Sequence, residues 1–96
     1  MNISAKIRIR FLSEAEGGRK SPITAKRFTC PMLVDNEYFD CSLILDGISF
    51  DIGQEYDVNV VFLSPDQIKK HIFPGKEVVF WDLREIANGT VLDVYI

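Results

Sequence analysis

The sequence predicts an all-β domain, a small closed antiparallel six-stranded β-barrel of the Greek-key type with one short helical turn near residues 65–71. Three observations predict it. The 96 residues have room for one domain, so residues 1–96 are treated as a single unit. Apolar and polar residues alternate with a period of two along several short runs, and turn residues separate these runs at short spacing. A barrel is expected because closure leaves no exposed strand edge.

The first strand is the clearest element. From Lys6 to Phe11, apolar residues occupy every second position and cations the positions between them, the pattern of a half-buried antiparallel strand. A loop is expected over residues 14–22, which contain two glycines and a proline. The second strand is expected over residues 25–34. Pro31 has no N–H to donate to a neighbouring strand, so it predicts a sheet edge or a bulge.

The turn between the two cysteines predicts their relative position in the sheet. A hairpin turning at Asp35-Asn36 would bring Cys30 directly opposite Cys41, because the two residues are equally distant from the turn. Reduced, buried thiols are expected in a cytosolic chain, whereas their pairing in a disulfide is left open.

The remaining elements follow at short intervals. Ser64 and Pro65 are typical of a helix start, as N-cap and first helical residue, and the helix is expected to last one or two turns. Apolar residues of the 65–76 connection, namely Ile68, Ile72 and Phe73, are expected to face the core as a lid over one barrel mouth. Further strands are expected over residues 41–45, 48–52, 56–63, 77–83 and 90–96, separated by turn signals at Asp46-Gly47, Gly53, Pro74-Gly75 and Asn88-Gly89.

The sequence offers little for catalysis. His71 is the single histidine, and it has no metal-ligating neighbour at helical spacing. No cofactor, metal site or enzymatic activity is therefore expected. Trp81 is expected to fill the core or a barrel end. A small-ligand site in the barrel mouth is a weaker alternative, formed by Cys30, Asp40, Cys41 and Asp82.

Charge is distributed unevenly along the chain. Residues 1–30 contain seven Lys or Arg and two acidic residues, whereas residues 31–96 contain four and twelve. A basic patch for an acidic partner is one interpretation, and mixing of the charges between neighbouring strands is the other. No apolar run approaches the length of a membrane span, and the N-terminus lacks a signal-peptide pattern, so a cytoplasmic protein is expected.

Three motifs in the same order suggest a family. The segment Phe-Leu-Ser-Glu-Ala-Glu-Gly-Gly-Arg-Lys-Ser-Pro at residues 11–22 resembles the loop that opens the C-terminal β-barrel domain of bacterial elongation factor Tu. Residues 50–65 are similar to the strand entry, strand and following His-Pro of that domain. Leu83-Arg84-Glu85, with Gly89-Thr90-Val91, resembles its last hairpin. The resemblance extends over almost the whole chain and implies that barrel fold.

The resemblance also implies a binding role. In the family this barrel contacts the T-stem of aminoacyl-tRNA and packs on a GTPase domain, which has no counterpart here. By resemblance, the binding residues would be Gly17, Gly18, Arg19, Arg84 and Glu85. The family's other contact positions hold Pro31 in place of glutamine, Asp40 in place of threonine and Ile86-Ala87 in place of two glycines, so tRNA contact is not carried over with the fold.

Two functions from different classes follow. The first is a non-catalytic module that docks on a protein. That protein would belong to the translation machinery, or the module would be an immunity or regulatory protein for a toxin or translation factor. The second is RNA or tRNA binding through the basic first third. Neither a membrane nor DNA is expected as a partner. The candidate basic patch comprises Arg8, Arg10, Lys20, Lys26 and Arg27, beside the Gly17-Gly18-Arg19 loop.

Overall fold

The computed structural model describes residues 3–13, 15, 23–24, 26–46 and 49–95 of the chain. Within these ranges the chain forms eight strands and one short helix. In chain order they are β1 (Ser4–Phe11), β2 (Ile23–Thr24), β3 (Arg27–Val34), β4 (Glu37–Ile44), β5 (Ser49–Phe50), β6 (Glu55–Phe62), α1 (Pro65–Ile68), β7 (Glu77–Trp81) and β8 (Glu85–Tyr95).

Six of the strands close into an antiparallel barrel in the order β1-β6-β4-β3-β7-β8, with β8 returning to β1. The predicted fold class is therefore confirmed. The segment expected as a strand over residues 48–52 contributes only β5, which pairs with β2 in a separate two-stranded sheet. Each strand of the barrel has two neighbours, so β1 and β3 are separated by two strands in either direction and lie on opposite sides of the barrel.

The core is formed by the inward positions of the alternating strands. Ile7 and Ile9 of β1 are fully buried while Arg8 between them is exposed, as the period-two pattern predicts. The same alternation fills the barrel from every side with aliphatic side chains and with the rings of Phe11, Phe39, Phe62 and Phe80. Burial of this apolar surface is the main stabilising term of such a small domain.

The predicted hairpin turn at Asp35-Asn36 is confirmed. Both residues have positive φ, 51° and 63°, which is the conformation of a type I′ turn and one that Asp and Asn tolerate. The turn sets the register in which Cys30 lies opposite Cys41. Pro31 does not make β3 a sheet edge, but the β3–β7 pairing covers only Met32 and Leu33 and begins directly after the proline.

The turn predicted at Asn88-Gly89 is wrong, because both residues lie inside β8. Gly89 is needed there for a different reason. A Cβ atom at this position would lie 2.8 Å from Cγ2 of Ile7 and 2.9 Å from the carbonyl oxygen of Arg8. The glycine therefore permits β8 to approach β1 and close the barrel.

The helical turn is confirmed at α1, with Pro65 in its first turn, although the Ser64 side chain makes no capping hydrogen bond. The expected lid is correct for Ile68 and Ile72, which are buried in the core cluster. It is wrong for Phe73, whose side chain is 55% exposed.

Candidate functional site

The predicted basic residues do not all face one way. Arg8 and Arg10 project from the outer side of β1, while Lys26 precedes β3 and Arg27 begins it on the opposite side of the barrel. The remaining predicted residues of the first third, Gly17, Gly18, Arg19 and Lys20, lie outside the described residues. The binding role of these residues stays a prediction.

The cations of β1 stand among carboxylates of neighbouring strands. Nε of Arg8 donates to Oδ1 of Asp57 at 2.9 Å, and both side chains are about half exposed. This hydrogen bond raises the pKa of Arg8 and lowers that of Asp57. In the same register Arg10 lies opposite Glu55. The basic first strand is thus interleaved with acidic residues in space, as the second interpretation of the charge distribution predicted.

A shallow groove of about 460 Å³ crosses the outer surface of β1, β8 and β7. Small residues on β8 form its floor, between arginines from β1 and residues of β7. Two carboxylates stand beside the two guanidinium groups, so the groove presents no uniformly positive surface for phosphate. It is lined by Arg8, Arg10, Glu55, Glu77, Val78, Val79, Asn88, Gly89 and Thr90.

An apolar surface lies elsewhere, on the outer side of β4, β3 and β7. Leu33 of β3 pairs with Tyr38 of β4 and with Val79 of β7, which places the three side chains in one row. The Tyr38 and Trp81 rings meet edge to face, with centroids 6.2 Å apart. Tyr38 is 59% exposed, and the others are partly exposed. We call this surface the Trp81 face, formed by Pro31, Leu33, Tyr38, Val79 and Trp81.

Trp81 is therefore not a core residue, and the prediction is wrong in its first alternative, the core. It occupies an outward position of β7, between the buried Phe80 and the turn that follows. Its Nε1 atom is inaccessible to solvent and has no hydrogen-bond partner among the described residues. A buried N–H without a partner is costly.

The turn after Trp81 carries the most exposed apolar residue. Leu83 lies between Asp82 and Arg84, whose backbone N–H and carbonyl oxygen are joined by a 2.8 Å hydrogen bond. Its side chain is fully exposed, at 101%, and its φ is +66°. A left-handed backbone costs a residue other than glycine about 1–2 kcal/mol. Leu83 thus combines backbone strain with an apolar side chain that the chain itself does not cover.

Acidic residues surround the Trp81 face and the Leu83 turn. Asp40 lies opposite Pro31, Glu77 precedes Val79 on the same face, and Glu85 pairs with Trp81. Asp82 and Arg84 flank Leu83 and are exposed. Two of the residues that the family resemblance singled out, Arg84 and Glu85, are therefore located at this surface, as is Asp40.

Cys30 and Cys41 lie opposite each other in the core. Both thiols are free and buried inside the barrel, where Sγ of Cys41 donates to the carbonyl oxygen of Cys30 at 3.4 Å. The contact with Cys30 and burial raise the pKa of Cys41, which suppresses the nucleophilic thiolate. The described residues contain no group of three or more His, Cys, Asp or Glu side chains that could hold a metal ion.

Comparisons with protein-family models and with curated proteins give no match to this chain. In the part of the chain that the structure describes, no helix has the length and apolar character to cross a membrane.

Proposed function

We propose that this protein is a non-catalytic interaction module that docks on another protein through the Trp81 face and the Leu83 turn. The main support is Leu83, whose side chain is fully exposed and whose φ is positive. It lies two residues after Trp81, next to the partly exposed aromatic and aliphatic side chains of the Trp81 face. Strain that serves no internal packing is characteristic of functional positions. Trp and Tyr are also enriched among the residues that dominate the binding energy of protein interfaces.

The charges around this surface favour a protein over a nucleic acid. Asp40, Glu77, Asp82 and Glu85 would repel phosphate groups, and the side chain of Arg8 on β1 is paired with Asp57. The partner we propose is a protein with an apolar pocket and a basic rim. Such a rim would speed association and give it a dependence on salt.

The resemblance to the last barrel of elongation factor Tu supports a partner of the translation machinery in the cytoplasm. An immunity or regulatory role toward a toxin or translation factor would use the same surface. RNA binding through the basic first third is the competing function, and we make it an outcome of the experiment.

Site-specific photo-cross-linking tests the proposal in the cells that produce the protein. A photoreactive phenylalanine analogue is placed at Leu83, at Tyr38 or at Tyr95. Tyr95 is a matched control, because it is an exposed tyrosine (43%) at the far end of β8, where it pairs with Ser4 of β1. We expect one protein adduct from positions 83 and 38 and none from position 95.

The recovered partner is then purified and titrated with single variants. Tyr38→Ala should weaken binding about tenfold or more, as expected for an aromatic anchor, while Tyr95→Ala should leave it unchanged. Equal cross-linking from all three positions, or adducts that disappear with ribonuclease, would overturn the proposal. Adducts that disappear with ribonuclease would support RNA binding instead.

A further inference from the structure

A charged cluster joins the α1 connection to the β3–β4 hairpin, next to the end of the Trp81 face that Leu33 and Tyr38 form. Nδ1 of His71 lies 3.0 Å from Oδ2 of Asp35, and Nε2 of the same ring lies 3.3 Å from Oε2 of Glu37. Both carboxylates belong to the hairpin turn, whereas His71 follows α1 at a separation of 36 residues from Asp35. One imidazole ring thus has a carboxylate oxygen at each nitrogen.

The ring is held in this position by its surroundings. It contacts the ring of Phe39, with centroids 5.2 Å apart, and its side chain is only 20% exposed. Lys76, later in the same connection, forms a second ion pair with Asp35, and its Nζ atom lies 5.5 Å from the ring centre of Phe73. Lys76 and the His71 ring, from one segment, therefore meet two carboxylates from the other.

The number of protons on His71 decides how many of these contacts are favourable. A neutral imidazole donates through one nitrogen and presents a lone pair at the other, which faces a carboxylate unfavourably. The imidazolium ion donates through both nitrogens and, together with Lys76, balances the charge of the two carboxylates. Imidazole is the side chain that normally changes charge between about pH 5 and 8.

We propose that His71 is a pH-sensitive clamp, which fastens residues 64–76 over the barrel end when it is protonated and releases them when it is neutral. This inference is independent of the docking function. The segment it fastens carries Ile68 and Ile72, which cover the core, so release would loosen the cover of one barrel mouth.

The clamp also requires that Asp35 stay ionised as the pH falls. Hydrogen bonds hold the pKa of this carboxyl below its ordinary value, and the bond from Lys76 has a larger effect than the one from His71. A carboxylate with a lowered pKa stabilises the folded state above its unfolded pKa and loses that contribution only as pH falls through the lowered value. Asp35 therefore stays ionised throughout the range in which an imidazole titrates. Acidification across that range closes the clamp, and Lys76 holds Asp35 at all of these pH values.

Hydrogen exchange across pH tests the clamp on the whole chain. The amides of Ile68, Lys69 and His71, which donate within this segment, are followed from about pH 5 to 8.5 with rates corrected for intrinsic exchange. We expect protection to fall about two- to fivefold as pH rises, the size expected for one partly exposed ion pair. Amides of β1 should show no such change.

Three variants separate the clamp from general effects. His71→Gln should show low protection that does not change over this pH range, and Asp35→Asn, which tolerates the positive φ, should flatten the profile. Lys70→Gln alters an exposed neighbouring cation and should keep the wild-type profile. A flat profile in the wild-type protein, or a pH dependence that persists in both His71→Gln and Asp35→Asn, would overturn the proposal.

Discussion

The outer surface of β1 and β6 is charged, whereas the Trp81 face is apolar, although both are built from the same kind of alternating strand. On β1 and β6, cations and carboxylates stand opposite one another and pair, as Arg8 does with Asp57. On the Trp81 face, apolar side chains occupy the outward positions and carboxylates surround them.

This difference explains the uneven charge of the sequence. The basic residues of β1 are compensated in space by β6, which comes from the acidic part of the chain. Around the Trp81 face, Asp40, Glu77 and Glu85 border apolar side chains. A linear count of charges therefore indicates a basic binding site, whereas folding sets the cations of β1 opposite acidic residues and leaves an apolar surface at the Trp81 face. Three substitutions test this comparison.

The largest effect is expected from Gly89→Ala, which acts where β8 meets β1. The new methyl group would lie within 3 Å of the β1 backbone at Arg8, which cannot move without disturbing the barrel seam. We expect the free energy of unfolding to fall by about 1–3 kcal/mol, the usual cost of overpacking. Urea denaturation measures it, with Thr90→Ala as the neighbouring control. A loss no larger than that of the control would contradict our account of this glycine.

An intermediate effect of opposite sign is expected from Leu83→Gly. Glycine tolerates the positive φ at this turn, so stability should rise by roughly 0.5–1 kcal/mol after the backbone entropy of glycine is subtracted. Binding of the partner should weaken at the same time, because the exposed anchor is removed. Leu63→Gly is the matched control: Leu63 is 59% exposed without positive φ, and its replacement should lower stability. Unchanged binding by Leu83→Gly would mean that this turn is not part of the interface.

The smallest effect is expected from Asp57→Asn, which breaks the exposed pair with Arg8. Because the pair holds the pKa of Asp57 down, its contribution is present near neutral pH and is lost as pH falls through that lowered value. Thermal melts should show a slight loss near neutral pH that shrinks as pH falls through the lowered pKa of Asp57, and that also shrinks in high salt. A large loss at neutral pH would show that charge pairing holds β1 and β6 together more strongly than we infer.

The fold could be predicted because its signals are local. Alternation in β1 depends on neighbouring residues, and the Asp35-Asn36 turn is specified by two residues that accept positive φ. The role of Gly89 could not be predicted, because a glycine after asparagine reads as a turn unless the approach of β1 is known.

The candidate surface was harder to predict than the fold. Trp81 alternates with buried residues, but the outward direction of β7 becomes evident only when its neighbours in the barrel are known. His71 appeared isolated along the sequence, since its partners Asp35 and Glu37 come from a hairpin far away in the chain. The positive φ and full exposure of Leu83 could not be predicted, because leucine is a residue that rarely adopts a left-handed backbone.

Trp81 gives the protein a reporter of its own. It is the single tryptophan in the sequence, and it stands at the centre of the surface that we propose for docking. Its fluorescence therefore comes from one place, and a partner that covers the indole will change its hydration and emission without any label. The spectrum of the unmodified protein can thus follow complex formation in real time, and Leu83→Gly, which keeps the fluorophore, supplies the comparison.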